Sequence, residues 1–428
     1  METAHLKCID CGKIFSAQLA VYECDKCRGL LEVVIDSGYL EKRVSKELFD
    51  SRLKERTPPY GSGVWRFREL VHPLAADCDI VSRPEGNTSL YSHEKVSRYT
   101  GIEGICLKHE GENPTGSFKD RGMTVGVSEA KRLGMKQVAC ASTGNTSASM
   151  AAYASMANLS PVVFIPEGEI AFGKLSQALA YGARVIQIKG NFDDAMSLVQ
   201  ESARELGVYL LNSVNPWRIE GQKTIMFEML QQLRWQSPDW VVVPAGNLGN
   251  TSAFGKALKE MKYLGFIDSV PRIASIQAQG ADPFYRTWKG DKSRLESVKE
   301  PKTIATAIKI GNPVSWKKAL DAIKYTKGVV AQVSDQEIMD AKAKVDSSGI
   351  GCEPASAASV AGAKKLGEEG VIGQKDSVVC IITGNILKDP DATINYHLSK
   401  LKGISPAYPN KPTVIEPLLK EVRRILSN

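Results

Sequence analysis

The sequence predicts an α/β protein in which parallel sheets are covered by helices, preceded by a small metal-binding element. Two observations carry this expectation. Beyond residue 65, short β-branched runs alternate with longer helical stretches, the pattern of parallel strands joined by helical crossovers. The first forty residues differ from the rest and hold four cysteines in two closely spaced pairs.

Taken in order, Cys8-Ile-Asp-Cys11 and Cys24-Asp-Lys-Cys27 stand twelve residues apart. That spacing can bring four thiolates around one tetrahedral zinc. With every position a cysteine, no coordination site stays open, so the expected role is structural. The apolar run Leu30–Ile35 suits a ribbon strand. Residues 41–65 are charged and then turn-rich, and are expected to form a linker over the surface. Strands are expected at Val138–Ser142, Val162–Pro166, Val185–Lys189, Val241–Pro244, Ile273–Gln277 and Val378–Thr383. Helices are expected at Lys119–Leu133, Thr146–Met156, Asp193–Leu206, Glu220–Arg234 and Thr251–Lys262. The tail Leu418–Leu426 has the spacing of an amphipathic helix.

Composition narrows the classes of function. The chain has 428 residues, 43% hydrophobic and 24% charged, enough for two or three domains at about 150 residues each. The net charge of +7 is spread without a Lys/Arg run, which argues against a nucleic-acid or membrane surface. No apolar stretch approaches the ~20 residues that cross a bilayer. Met1–Cys11 contains no apolar core of a signal peptide. A cytoplasmic protein is expected, with its nine cysteines reduced or metal-bound and not paired as disulfides.

Chemistry collects in four loops rich in Gly, Asn, Ser and Thr. In the first, Glu112–Gly122, a Thr-Gly-Ser turn leads to Lys119 at the opening of a helix. The helix dipole disfavours an ammonium there and helps supply a neutral amine. In the second, Ser142-Thr143-Gly144-Asn145-Thr146 sets hydroxyls and backbone N–H groups at a helix N-terminus, a ready anion site. The third, Gly246-Asn247-Leu248-Gly249-Asn250, follows a Val-rich strand and precedes a helix. Its small residues let N–H groups approach a phosphate, yet it matches neither the nucleotide P-loop nor the dinucleotide fingerprint. A small phosphorylated cofactor fits better. The fourth is Thr383-Gly384-Asn385, whose hydroxyl at a strand end can meet a ring nitrogen. None of the five histidines, at 5, 72, 93, 109 and 397, pairs at metal-ligand spacing on a helix. No G-x-S-x-G elbow is present.

The ordered set Ser117–Arg121, Ser142–Thr146, Gly246–Asn250 and Thr383–Gly384 resembles the fold-type II pyridoxal-phosphate (PLP) enzymes. Glu85–Thr88, Asn212–Arg218, Glu220–Thr224, Cys352–Ala357 and Leu387–Pro390 make it similar to the threonine synthase family in particular. The likeness covers roughly residues 63–395, and the four-cysteine element is similar to that of some archaeal and bacterial members. It departs at Ser89, where the family usually has Pro, and at Asn385, where His is common.

This resemblance implies a tryptophan synthase β-like fold with two parallel-rich sheets flanked by helices. It implies Lys119 as the Schiff-base lysine, Asn145 on the cofactor's ring hydroxyl, Gly246, Asn247, Leu248, Gly249 and Asn250 on its phosphate, and Thr383 on its ring nitrogen. Ser142 and Thr143 would take the substrate carboxylate. Thr146, Asn212, Ser213 and Arg218 would hold a second phosphate, the last three from one loop. The implied substrate is O-phospho-L-homoserine, turned over with water to L-threonine and phosphate, in a homodimer. The implied division is 1–40, a zinc ribbon; 41–110 with 220–428, a large PLP-binding domain; and 111–219, a small domain that closes on substrate. Two alternatives stand beside it: a sibling enzyme (threonine dehydratase or cysteate synthase-like), and a non-enzymatic binding protein on the same fold.

Overall fold

A computed structural model describes residues 3–167, 172–190 and 192–427. Three sheets organise the chain. The N-terminal element is an antiparallel ribbon of β1 (Ala4–Cys8), β2 (Ile14–Ser16) and β3 (Leu31–Ile35), in the order β2-β1-β3. The remaining strands are β4 (Leu90–Tyr91), β5 (Gly104–His109), β6 (Gln137–Ala141), β7 (Ser160–Pro166), β8 (Arg184–Ile188), β9 (Tyr209–Leu210), β10 (Trp240–Pro244), β11 (Arg272–Ala278), β12 (Val329–Val333) and β13 (Ser377–Ile382). They form a six-stranded sheet, β12-β11-β10-β13-β5-β4, and a four-stranded sheet, β8-β7-β6-β9. Every pairing in both is parallel except that of the short edge strand β4. Strands covered by helices on both faces must be apolar throughout. The run Trp-Val-Val-Val-Pro of β10 is buried at all five positions.

The strands and helices expected from periodicity are present with small shifts at their ends. The largest concerns the helix Pro216–Gln232, which starts four residues before the expected Glu220. Asn215 caps it by accepting from the Trp217 N–H at 3.0 Å. Pro216 at the first helical position needs no donor. The segment 41–65, expected as a surface linker, is corrected. It carries the end of the helix Ser37–Arg43 and all of the helix Lys46–Ser51, and Phe49 of the second is fully buried against Phe67 and Phe266. The charges flanking Phe49 hide one buried face.

The ribbon packs against both sheet systems. Lys256 donates to the Val33 carbonyl at 2.6 Å and Lys318 to that of Leu31 at 3.2 Å. On the other side, the Leu210 N–H of β9 donates to the Tyr22 hydroxyl at 2.8 Å.

Between the helix Lys119–Arg132 and the large sheet lies a buried charge network. Arg121 pairs with Glu110 at 2.6 Å and with Glu228 at 2.8 Å. Glu228 also receives Lys108 at 2.6 Å and Arg66 at 3.4 Å. Backbone N–H groups of Asn87 and Thr88 complete its shell. Burial alone would raise the Glu228 carboxyl; the charges of Arg121, Lys108 and Arg66 outweigh it and hold the group far below 4.5. A carboxyl depressed in the folded state lends stability that is complete above its unfolded pKa and is lost as pH falls through the folded value. Replacing Glu228→Gln leaves three buried cations facing one carboxylate. Urea unfolding at pH 7 is expected to show a loss of about 3–5 kcal/mol. The loss shrinks as pH drops below about 4.5, and an unchanged midpoint at pH 7 would refute this account.

Candidate active site

The first, second and fourth loops meet beyond the carboxyl ends of β5, β6 and β13, and the third leaves the same end of β10, the strand paired in parallel with β13, where open α/β sheets bind ligands. The first and fourth are stitched together. Phe118 N–H donates to the Thr383 carbonyl at 3.0 Å, and Asn385 N–H to that of Gly116 at 2.9 Å. The second joins them through Asn145, whose Nδ2 donates to the Glu353 carboxylate at 3.1 Å.

Lys119 is the first residue of the helix Lys119–Arg132 and is half-buried. Its ammonium lies 4.2 Å from the centre of the Phe118 ring and has no hydrogen bond or ion pair among the described residues. Burial first, and the Arg218 guanidinium second, bring this lysine down to about 7, against an opposing pull from Glu353. The neighbouring Asp120 is fully buried and anchors the turn. It accepts from Thr115 N–H at 2.7 Å and from the Thr115 and Ser149 hydroxyls at 2.5 Å each.

The glycine loop Gly246–Asn250 turns through Leu248, a non-glycine residue at φ 65°, directly into the helix Gly249–Tyr263. Among the described residues the N–H groups of Gly246 to Asn250 donate to no acceptor. A fan of free donors at the positive end of a fifteen-residue helix is an anion cradle.

Arg218, only 2% exposed, marks a second such place. It was expected in a loop with Asn212 and Ser213 but stands in the first turn of the helix Pro216–Gln232. Its Nη1 donates to the Leu211 carbonyl at 3.0 Å, while Nε is buried without a partner. Burial lowers the guanidinium to about 10. Asn212 is buried and spends its amide on both backbone groups of Ala141, at 3.0 and 3.1 Å, which ties its loop to the end of β6. Ser142, Thr143, Thr146 and Ser213 are half-buried.

Thr383 is buried, 3.0 Å from the Ser356 hydroxyl. Two residues that the sequence reading left without a role also reach this cleft. Glu353 contacts Asn145, and Lys388 donates to Gln177 across from the helix Phe172–Ala180. The signal for Glu353 was a carboxylate in Cys-Glu-Pro-Ala-Ser-Ala, a run otherwise small and apolar.

These features fit PLP. They offer an unpaired amine of lowered basicity, a donor-rich phosphate cradle, and an amide and a hydroxyl for the ring. Because Lys119 is held near 7, its amine is already neutral above that pH. Covalent uptake of PLP by the apoprotein is therefore expected to speed up through pH 7 and level off by about pH 8.5. Stopped-flow absorbance would measure it, and a rate still climbing toward 10.5, the usual lysine value, would contradict the assignment.

Comparison with known proteins agrees with this chemistry. A family model described as "Pyridoxal-phosphate dependent enzyme" matches residues 81–384. The threonine synthase of Methanocaldococcus jannaschii is 50% identical over 91% of this chain and 94% of its own length. That of Methanosarcina acetivorans is 48% identical over the same shares. Among solved structures, threonine synthase from Escherichia coli superposes with a TM-score of 0.69 over 99% of each chain at 17% identity, a likeness of fold alone. The chain thus belongs to the pyridoxal-phosphate dependent enzymes and, within them, to the threonine synthases.

Proposed function

We propose that this chain converts O-phospho-L-homoserine and water to L-threonine and phosphate. The observation that carries the reading is the pair of anion sites around one unpaired lysine. The Gly246–Asn250 cradle suits the cofactor phosphate. The buried Arg218 with its free Nε suits a phosphate on the substrate, for which Asn212, Ser213 and Thr146 would supply further donors. A guanidinium can meet two phosphate oxygens at once. A dehydratase acting on an unphosphorylated amino acid has no need of the second site.

Bound PLP supplies an electron sink for charge developing at the substrate's α and β carbons. The chain's residues do the rest. Ser142 and Thr143 take the carboxylate at the N-terminus of the helix Asn145–Met156. Asn145 and Thr383 hold the ring edge. The Lys119 amine removes the Cα proton and passes it to a phosphate oxygen, then removes a Cβ proton as hydrogen phosphate leaves Cγ under the hold of Arg218; it returns that proton to Cγ, takes one from the water that adds at Cβ, and delivers it to Cα. Arg218 has a further effect: by disfavouring the ammonium it keeps Lys119 basic in form, and an arriving phosphate dianion offsets the cost of burying the guanidinium. Closure of residues 111–219, which include the four-stranded sheet, against 41–110 and 220–428 would exclude bulk water until it is required. The resemblance also implies a homodimer in the cytoplasm. No described helix is long and apolar enough to cross a membrane.

Incubation with O-phosphohomoserine is expected to release threonine and phosphate in equal amounts. Lys119→Ala should abolish both, and Arg218→Ala should weaken them by about 100-fold or more. Ammonia in place of phosphate would move the assignment to a dehydratase. No product from any amino acid would favour a binding protein.

The ribbon is proposed to hold zinc. The Sγ atoms of Cys8, Cys11, Cys24 and Cys27 all lie within 4.8 Å of one another, with Cys8–Cys27 at 3.4 Å and Cys11–Cys24 at 3.6 Å. Tetrahedral thiolates at about 2.3 Å from zinc stand roughly 3.8 Å apart, so little movement is needed. Because the ribbon contacts both sheets, chelating the metal is expected to lower the melting temperature and open residues 1–40 to protease. Purified protein without metal, whose four thiols react freely while it stays folded, would count against the site.

A further inference from the structure

Glu353 is a buried acid that the chemistry above leaves without a task. It precedes the helix Pro354–Glu368 at the capping position, yet its side chain makes no capping hydrogen bond. The ordinary structural reason for an acid at a helix start is therefore missing. Its carboxyl turns instead into the cleft at 5% exposure. There it accepts from Asn145 Nδ2 at 3.1 and 3.3 Å and lies 3.5 Å from the Thr383 hydroxyl. Room for it is made by Gly384, where any Cβ would overlap the carboxyl oxygens. Glu353 N–H donates to the Gly384 carbonyl at 3.1 Å, which fixes the distance between the two segments. Among the described residues no cation pairs with it directly, and burial pushes the carboxyl up, partly offset by Asn145. Such a group is costly to keep in a core unless its contacts matter.

We propose that Glu353 is a positioning residue for the cofactor ring, acting through Asn145 and Thr383. The inference rests on the reading of those two side chains as the ring's partners. An asparagine amide can face a ligand with either its N–H or its oxygen. By taking one Nδ2 hydrogen, Glu353 selects the orientation in which the second points into the cleft, the one that suits a ring oxygen. Asn145 starts a helix of the four-stranded sheet, and Thr383 follows β13 of the six-stranded sheet. One carboxyl thus sets partners from both sheets in register.

The test compares holoenzyme of the wild type with Glu353→Gln, Glu353→Asp and Glu353→Ala, reading the visible spectrum of bound PLP and its dissociation constant. Glutamine keeps an acceptor at the same reach, so spectrum and affinity are expected to stay within about threefold of wild type. Alanine should alter the balance of the cofactor's visible bands and weaken binding by about 10-fold or more. Should the alanine variant fail to fold, aspartate keeps the charge but falls one methylene short and should give the same spectral change. Adding Asn145→Ala should remove most of the further effect of losing Glu353. Folded alanine or aspartate variants with the wild-type spectrum and affinity, or fully additive effects with Asn145→Ala, would overturn the proposal alone. A wild type that takes up no PLP would overturn it together with the cofactor reading.

Discussion

The site depends on how closely two helices cross. Lys119 opens the helix Lys119–Arg132, and Arg218 stands in the first turn of the helix Pro216–Gln232. At their crossing, a Cβ on Gly221 would overlap the Arg121 carbonyl, and one on Gly122 would lie 3.0 Å from that of Arg218. The backbones touch with no side chain between them. A methyl group on Gly221 would have to push the helices apart, because its obstacle is main chain and cannot rotate away. The spacing between the amine and the guanidinium is thus set by packing along both helices and not by loop conformation. The Arg121 guanidinium then locks the arrangement, since its two carboxylate partners come from different segments. Glu110 follows β5, and Glu228 lies farther along the partner helix.

That geometry has an electrostatic consequence. Two cationic side chains are held near one another in a poorly solvated place, and both lose basicity there. For Arg218 the loss is harmless, because even near 10 it remains charged at neutral pH. For Lys119 it brings the pH at which the neutral amine takes over down to about 7. One burial therefore yields a fixed charge for an anion and a neutral amine for proton transfer, through the different intrinsic basicities of the two groups. The cations of the charge network around Arg121 differ from these two in being paired. Arg121, Lys108 and Glu228 are satisfied internally, whereas Arg218 Nε and the Lys119 amine are left open.

Much of this was legible in the sequence where local rules and tertiary structure agree. Val241–Pro244 reads as a buried parallel strand and is one. The loop after it reads as an anion cradle because small residues precede a helix. Legibility fails where a buried position is polar. Strand β5 carries Lys108 and His109, which look like surface residues, yet Lys108 is buried because its partner Glu228 lies 120 residues away. Arg218 looked like a loop residue because Asn-Pro commonly marks a turn, though here it caps a helix. Glu353 was visible as an odd charge, but its partners come from segments that only the folded chain brings together. Phe49 was missed for the opposite reason, one buried ring inside a charged stretch.

The contacts across the cleft also bear on how it closes. Asn145 with Glu353, and Lys388 with Gln177, each join a helix that follows a strand of the four-stranded sheet to a segment of the large-sheet body. On the far side, Tyr22 of the ribbon meets β9, and Lys256 and Lys318 hold the ribbon to helices of that body. The small sheet and its helices are thus tied to the rest by side-chain hydrogen bonds at the mouth, by the ribbon, and by the crossing of the helices Lys119–Arg132 and Pro216–Gln232. Bonds at the mouth are few and polar, so a substrate or water can replace them at little cost. The ribbon shares the main hydrophobic core through Leu6, Leu31 and Val33, and breaking that packing would expose apolar surface. The closure proposed for residues 111–219 would therefore cost least as a swing that opens the mouth and leaves the ribbon's packing in place. Such a swing would carry Asn145 and the Ser142–Thr146 loop and leave the Gly246–Asn250 cradle with the larger body.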